Sequence, residues 1–283
     1  MEFTKMHGLG NDYIYINCFK ETIKDPAGLA KRLSDRHFGI GSDGLILIRP
    51  SQSAEFKMEI YNADGSRAGM CGNGIRCLGK YVYENKMTSK TGFDVETGAG
   101  IRSLKLEEEN GVVKRVCVDM GTPRLNAHCI PVMTDKALVI DEPFQVRGKK
   151  FRITCLSMGN PHAVVYVKDV WDFPVEKLGP EFECHPQFPE KVNTEFIRVV
   201  DRGTIEMRVW ERGSGETFAC GTGACAAVVA SVLNNLTDEE VTVKLLGGEL
   251  YIRWDRFVNK VYMTGPAVHV FDGVMMLGPK SHV

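Results

Sequence analysis

Two short segments have residue types suited to chemistry: Cys71-Gly72-Asn73-Gly74 and Cys220-Gly221-Thr222-Gly223, 149 residues apart. Each leads into a helical stretch, residues 75–83 (IRCLGKYVY) and 224–233 (ACAAVVASVL). A cysteine just before a helix faces backbone N–H groups with no partner inside the helix and the positive end of the helix dipole, and both favour thiolate over thiol. The expected consequence is a pKa falling from the ordinary value of about 8.5 toward neutrality. The glycines remove side chains where a carboxylate would approach the same N–H groups. A single Cys-Gly turn reads more readily as core filling, because cysteine is among the most buried residue types. Two in equivalent places carry a different meaning. If the two helix starts face one another, a carbon between them has a thiol on either side. One thiolate then removes an α-proton while the opposite thiol protonates the other face, which inverts a stereocentre without a cofactor. The carbanion's charge is met by the N–H donors of both turns.

The elements that must position these turns repeat at the same 149-residue shift. Residues 57–61 (KMEIY) slide onto 206–210 (EMRVW), Gly10-Asn11 onto Gly159-Asn160, and Leu47-Ile48-Arg49 onto Phe196-Ile197-Arg198. The chain is therefore read as two similar halves, each a mixed sheet around a central helix. The fold class is α+β, with two pseudo-symmetric domains and more strand than helix. Residues 224–233 are apolar nearly all round, the mark of a helix buried on every side. Further strands are expected at 13–16, 95–97, 104–106, 113–118, 151–154, 163–167, 241–245, 250–254 and 260–264. Further helix is expected at 26–36, opened by Asp25-Pro26, and at 175–178. Breaks at Gly121-Thr122-Pro123 and Gly265-Pro266 give an N-terminal domain of 1–121 plus 266–283 carrying Cys71. The C-terminal domain is then 122–265, carrying Cys220, with the active site expected in the cleft between them.

Composition narrows the partners. The 283 residues are 43% hydrophobic and 25% charged, and 35 Lys+Arg against 36 Asp+Glu leave a net charge of −1. That balance gives no positive field for nucleic acid or an anionic membrane, so a small polar metabolite is the expected partner. The longest nearly apolar stretch toward the end, 225–233, falls short of the roughly 20 residues that cross a bilayer. The N-terminus shows no basic segment followed by an apolar one, which argues against export, and a cytoplasmic location is expected. Nine cysteines, an odd number, are read as reduced thiols, and their spacing matches no zinc site, so no metal is expected. Gly39–Gly44 fits the dinucleotide pattern G-x-G-x-x-G, but it precedes a strand instead of opening a helix and is discarded. Asn235-Leu236-Thr237 fits the glycosylation pattern and is idle in a cytoplasmic protein.

In order along the chain stand Asn11-Asp12-Tyr13, Tyr61-Asn62-Ala63-Asp64-Gly65-Ser66 and Cys71-Gly72-Asn73-Gly74-Ile75-Arg76-Cys77. They are followed by Ser157-Met158-Gly159-Asn160-Pro161-His162, Glu211-Arg212-Gly213-Ser214-Gly215-Glu216-Thr217 and Ala219-Cys220-Gly221-Thr222-Gly223-Ala224-Cys225. With these segments the chain resembles the diaminopimelate epimerases over nearly its whole length. The resemblance implies a pyridoxal-phosphate-independent isomerase, with no cofactor, that converts LL-2,6-diaminopimelate to the meso form for lysine and peptidoglycan synthesis. It implies that Cys220 takes the proton from the L-configured carbon and Cys71 donates from the other face. Gly72, Asn73, Gly221 and Thr222 would bind the reacting carboxylate. Asn11, Asn62, Asn160, Asn193, Glu211 and Arg212 would contact the substrate, amides serving ammonium and carboxylate alike and arginine gripping a carboxylate with two prongs. His162 and Glu211 would tune the two thiols, although by residue type alone His162 also reads as a turn residue and Glu211-Arg212 as a solvated pair. The resemblance allows a homodimer.

One departure stands out: some members of that family have a substrate-contacting glutamine where this chain has Gly44. Three other readings remain open. A proline or hydroxyproline racemase would share the two-cysteine design but typically has a CGHG-type first turn. A thiol-disulfide redox protein would be expected to carry C-x-x-C, which is absent. A non-catalytic amino-acid-binding module would not need its thiols.

Overall fold

Strand β1 (Glu2–Gly8) turns back into β2 (Asn11–Asn17) through Leu9-Gly10 in a computed structural model that describes residues 1–276. Both turn residues have positive φ, 57° and 87°, and Gly8 pairs with Asn11, the geometry of the two-residue hairpin whose twist matches its strands. Helix α1 (Pro26–Ser34) starts where expected. The Asp25 carboxylate accepts the Gly28 N–H at 2.9 Å, and Pro26 supplies a preset φ in the first turn. Next come β3 (Gly44–Arg49), β4 (Phe56–Asn62), the short β5 (Arg67–Ala68), helix α2 (Gly72–Glu84), β6 (Gly92–Thr97), β7 (Gly100–Glu109) and β8 (Val112–Gly121). β3 lies parallel to β2 and antiparallel to β4, and β6 runs parallel to β4 and antiparallel to β7.

Period-two alternation sorts this sheet's residues between two helices. Ile14, Ile16, Leu45 and Leu47 pack with Ala30 and Leu33 of α1. The intervening Tyr15 and Ile46 turn the other way: the Tyr15 hydroxyl donates to Gly74 O at 3.0 Å, and Ile46 packs against Gly74 in the first turn of α2.

The second half runs through β9 (Glu142–Val146), β10 (Lys149–Ser157), β11 (Pro161–Tyr166), helix α3 (Val175–Glu183), β12 (Asn193–Asp201), β13 (Thr204–Glu211) and β14 (Gly215–Thr217). Helix α4 (Gly221–Leu233) and strands β15 (Glu240–Leu245), β16 (Gly248–Asp255) and β17 (Lys260–Gly265) complete it. Its pairings copy the first half. β11 and β12 are parallel with His162 opposite Asn193, as β2 and β3 are with Tyr13 opposite Gly44. Helices α1 and α3 occupy the same repeat positions, and so do α2 and α4. As its composition predicts, α4 is enclosed, with every residue from Ala226 to Ala230 fully buried and strands of the sheet packed around it. Each buried valine there contributes about 1.5–3 kcal/mol. Helix α3 runs past the expected end at Leu178, through Gly179 and Pro180, because Val175, Leu178 and Phe182 together face a phenylalanine-rich core.

The chain divides into two compact units, Met1–Val116 with the segment from Pro266 on, and Cys117–Gly265. The passage falls within β8, ahead of the Gly121 break expected from sequence, because the strand runs on unbroken to that glycine. The last strand, β18 (Val268–Val274), pairs antiparallel with β1 of the first unit. Residues 277–283 of the expected return segment lie outside the described residues. The α+β class and the duplicated sheet-and-helix plan are as the sequence indicated. Among the described residues no helix is long and apolar enough to cross a membrane.

Gly179 brings α3 close to β13, since a Cβ there would stand 2.4 Å from the Trp210 ring, itself held by a 2.8 Å hydrogen bond from its Nε1 to Glu183. Gly179→Ala is expected to lower stability by about 1–3 kcal/mol through overpacking, in spite of alanine's better helix propensity. Urea unfolding checks this, and an unchanged or raised midpoint would show that the ring yields.

Candidate active site

In the first unit Cys71 caps α2 with its sulfur, which accepts the Gly74 N–H at 3.3 Å, while the thiol reaches Asn11 Oδ1 at 3.3 Å. Asn73 Nδ2 also donates to Asn11 Oδ1, at 3.4 Å. Beneath this turn lies the fully buried Arg76. Its guanidinium donates to Gly72 O at 3.1 Å, to Asn73 Oδ1 at 2.9 Å and to Pro266 O at 3.1 Å, so a cation braces the turn. Asn11 is held in turn by Asp43, which accepts from its Nδ2 at 2.8 Å. Arg36 bridges Asp43 and Asp12, and Lys5 lies 2.7 Å from Asp12. Burial disfavours the charged form of Asp12, but hydrogen bonds and charge from Arg36 and Lys5 outweigh it and hold the carboxyl below its usual range. Tyr13 is pushed far above the ordinary phenol value, first by burial and then by the neighbouring Cys71. Asn62 stands at the end of β4, its Nδ2 donating to Ser66 Oγ at 2.9 Å.

The second unit builds a different setting around an equivalent turn. Cys220 is 5% exposed, its sulfur lies 3.6 Å from Thr222 Oγ1, and no side chain caps α4. The expected fall of its pKa does not occur. Burial, and after it the carboxylates of Glu211 and Glu195, push the Cys220 thiol well above the ordinary value, outweighing the helix start. Glu211 is itself raised, by burial first, against hydrogen bonds from Thr217 and Cys220 that favour its charged form. Cys220 therefore rests as a thiol beside a carboxyl able to take its proton. His162 is fully buried, with Nδ1 2.7 Å from Glu195 Oε1 and Nε2 2.9 Å from Asn160 Oδ1. Asn160 Nδ2 donates to Thr222 Oγ1 at 3.3 Å. Asn193 ties three segments together: its Nδ2 donates to Pro161 O at 2.8 Å and its Oδ1 accepts the Arg212 N–H at 2.9 Å. The exposed Arg212 side chain donates to Glu190 O at 2.9 Å.

The structure thus gathers Asn11, Gly72 and Asn73 around Cys71, and Asn160, Glu211, Gly221 and Thr222 around Cys220, with His162 one hydrogen bond further back. Asn62 ends a neighbouring strand, while Asn193 and Arg212 brace the turn after β13. Three residues escape the sequence reading: Arg76, Thr217 and Glu195. For Glu195 a signal existed, a carboxylate standing in an apolar strand where the repeat places Ile46 in the other half.

This duplicated α+β fold recurs in solved structures. A phenazine biosynthesis PhzF-family protein of Bacillus anthracis matches with TM-score 0.70 at 17% identity, over 98% of this chain and 99% of that one. A hydroxyproline epimerase of Agrobacterium vitis matches with TM-score 0.68 at 15% identity, over 96% and 90%. These likenesses define the fold, a two-unit sheet-and-helix repeat, here with a cysteine before each central helix. The family model for diaminopimelate epimerase matches residues 3–126 and 154–270. The diaminopimelate epimerase of Acetivibrio thermocellus is 61% identical over 273 residues, 96% of this chain and 98% of that protein. That of Methanococcus maripaludis strain C5 is 56% identical, over 96% and 99%. The chain belongs to the diaminopimelate epimerase family.

Gly44 is fixed by its surroundings. A Cβ there would stand 2.3 Å from Tyr61 O and 2.9 Å from the Tyr13 ring, so this backbone has no room for a glutamine. Gly44→Ala is expected to cost about 1–3 kcal/mol because the clash is with backbone, and a urea midpoint equal to wild type would refute it. Asp12 generates a pH effect. A carboxyl depressed by folding stabilises the protein above its unfolded pKa, and that contribution is lost as pH falls through the folded value. Asp12→Asn should therefore be less stable than wild type near pH 7, with the gap closing below about pH 4. A gap that persists unchanged in acid would remove the ionic account.

Proposed function

We propose that this chain converts LL-2,6-diaminopimelate to meso-2,6-diaminopimelate with its two thiols as the proton carriers and no cofactor, a step in the supply of lysine and peptidoglycan precursors. The observation that carries this reading is the pair of equivalent cysteine turns, within a chain 61% identical over nearly its full length to a diaminopimelate epimerase. Glu211 takes the Cys220 proton, and the thiolate removes the α-proton of the L-configured carbon. Cys71 delivers its own proton to the opposite face, so one C–H bond breaks, another forms, and the centre is inverted. The scheme requires both sulfurs to reach one α-carbon from opposite sides. The N–H groups of Gly72, Asn73, Gly221 and Thr222 take up the carboxylate, which carries the carbanion's charge at the transition state. Asn11, Asn62, Asn160, Asn193 and Arg212 hold the substrate's amino-acid ends, and His162 and Glu211 set the state of the thiols.

The test is reduced protein in heavy water with LL-diaminopimelate, following α-proton exchange and the meso isomer by NMR, with proline in parallel. Exchange and meso product with diaminopimelate alone are expected. Exchange with proline alone would move the enzyme to the racemases, and silence with both would refute the reading. Cys71→Ala and Cys220→Ala should each lower epimerisation by about 10²–10⁴-fold, because each face needs its own proton carrier. Two-way conversion surviving in either variant would refute the two-thiol scheme.

A further inference from the structure

Helix α3 ends on a carboxylate, Glu183, at the carbonyl end of the helix dipole, which disfavours negative charge. Glu183 is also only 6% exposed, so its charge is held at a cost that its partners must offset. Those partners come from three later segments. Oε2 accepts the Nε1–H of Trp210 in β13 at 2.8 Å. Oε1 accepts Lys191 Nζ, from the segment ahead of β12, at 3.1 Å, and the backbone N–H of Gly213 at 3.1 Å. Burial disfavours the charged form, but the three donors outweigh it and hold the carboxyl below its usual range. The first unit has no carboxylate at this repeat position. Ser34 stands there, its hydroxyl paired with that of Ser42, and the turn after β4 is tied to itself, Ser66 donating to Asp64 through both its N–H and its hydroxyl.

Gly213 follows Arg212 directly, and the turn that carries both, residues 212–214, is exposed. Arg212 is fixed at two points, its N–H donating to Asn193 Oδ1 at 2.9 Å and its Nη1 to Glu190 O at 2.9 Å. Glu190 adjoins Lys191, whose ammonium Glu183 holds. One carboxylate thus anchors both the turn that carries the guanidinium and the segment on which the guanidinium rests. Nε and Nη2 of Arg212 make no hydrogen bond among the described residues, and two such donors suit a carboxylate. Resting on the reading of Arg212 as a substrate contact, we propose that Glu183 is a positioning residue, which clamps the 212–214 turn to α3 and so holds the Arg212 guanidinium in place for a carboxylate of the substrate. Without the clamp this turn, with Gly213 at a φ of 77°, has more conformations to lose on binding, and affinity falls. Glu211, at the head of the turn, is held separately, by its pairing with Gly215 of β14 and by the Thr217 hydroxyl. Removing the clamp therefore weakens binding and leaves the group beside Cys220 where it was.

Amide hydrogen exchange, followed by nitrogen-15 NMR on the full-length protein, reads the clamp without substrate. The Gly213 N–H, although in an exposed turn, should be protected about tenfold or more. Exchange at the unprotected rate in the wild type would overturn the proposal, and this measurement stands even if variants misfold. Glu183→Gln, an uncharged side chain of the same shape, should remove that protection. With diaminopimelate its KM should rise about tenfold, the loss of one hydrogen bond to a charged group, while kcat and its pH profile stay as in the wild type. In an Arg212→Ala background the same substitution should change KM by less than about twofold, because the clamp acts through the guanidinium. Retained Gly213 protection in the glutamine variant, a fall in kcat at unchanged KM, or an equal rise in KM in both backgrounds would overturn the proposal. A wild type that does not turn over diaminopimelate would refute the substrate, and the clamp then stands or falls on the Gly213 exchange alone.

Discussion

The N–H groups that open a buried helix have no partner along the helix and, inside a sheet, little water to turn to. That constraint governs what surrounds α2 and α4. In the first unit the sulfur of Cys71 satisfies the Gly74 N–H, and Arg76 braces the turn from below through Gly72 and Asn73. In the second, Cys220 caps nothing with its side chain and turns to Thr222. Donors left over at such a place suit an anionic ligand.

Duplication supplies the scaffold and divergence supplies the chemistry. The two parallel pairs, β2–β3 and β11–β12, keep the same register, so each residue of one copy has a defined counterpart in the other. Against that common frame the phenol of Tyr13 becomes the imidazole of His162, and the methyl end of Ile46 becomes the carboxylate of Glu195. Gly44 becomes Asn193, the amide that joins Pro161 to Arg212. An arginine braces the turn of Cys71 from below, whereas Cys220 faces two carboxylates.

Much of this was legible in the sequence because it depended on local rules. Asp25-Pro26 announced α1, the all-round apolar run 224–233 announced α4, and the shared shift of the Cys-Gly turns announced the repeat. What stayed hidden depended on tertiary packing. Helix α3 continues through Gly179-Pro180 because Phe182 gains a place among Phe144, Phe151 and Phe196, a gain no local pattern records. The thiol of Cys220 was expected to be acidified by its helix, yet burial, Glu211 and the more distant Glu195 reverse the sign, and the burial and the approach of Glu195 come only with the packed strands. The first and last strands also escaped: β1 buries Thr4 and Lys5, and β18 exposes most of its apolar residues, so neither shows clean alternation.

The pairing of β1 with β18 joins Glu2 to Val274 and His7 to Val268, nearly the full length of the chain apart. During synthesis the second unit has all its strands once Gly265 has left the ribosome, while β1 of the first still lacks a neighbour on one edge. The half that starts first therefore finishes last. Until then β1 offers a row of unpaired backbone groups to any other nascent strand, an aggregation risk that ends only when the final segment emerges.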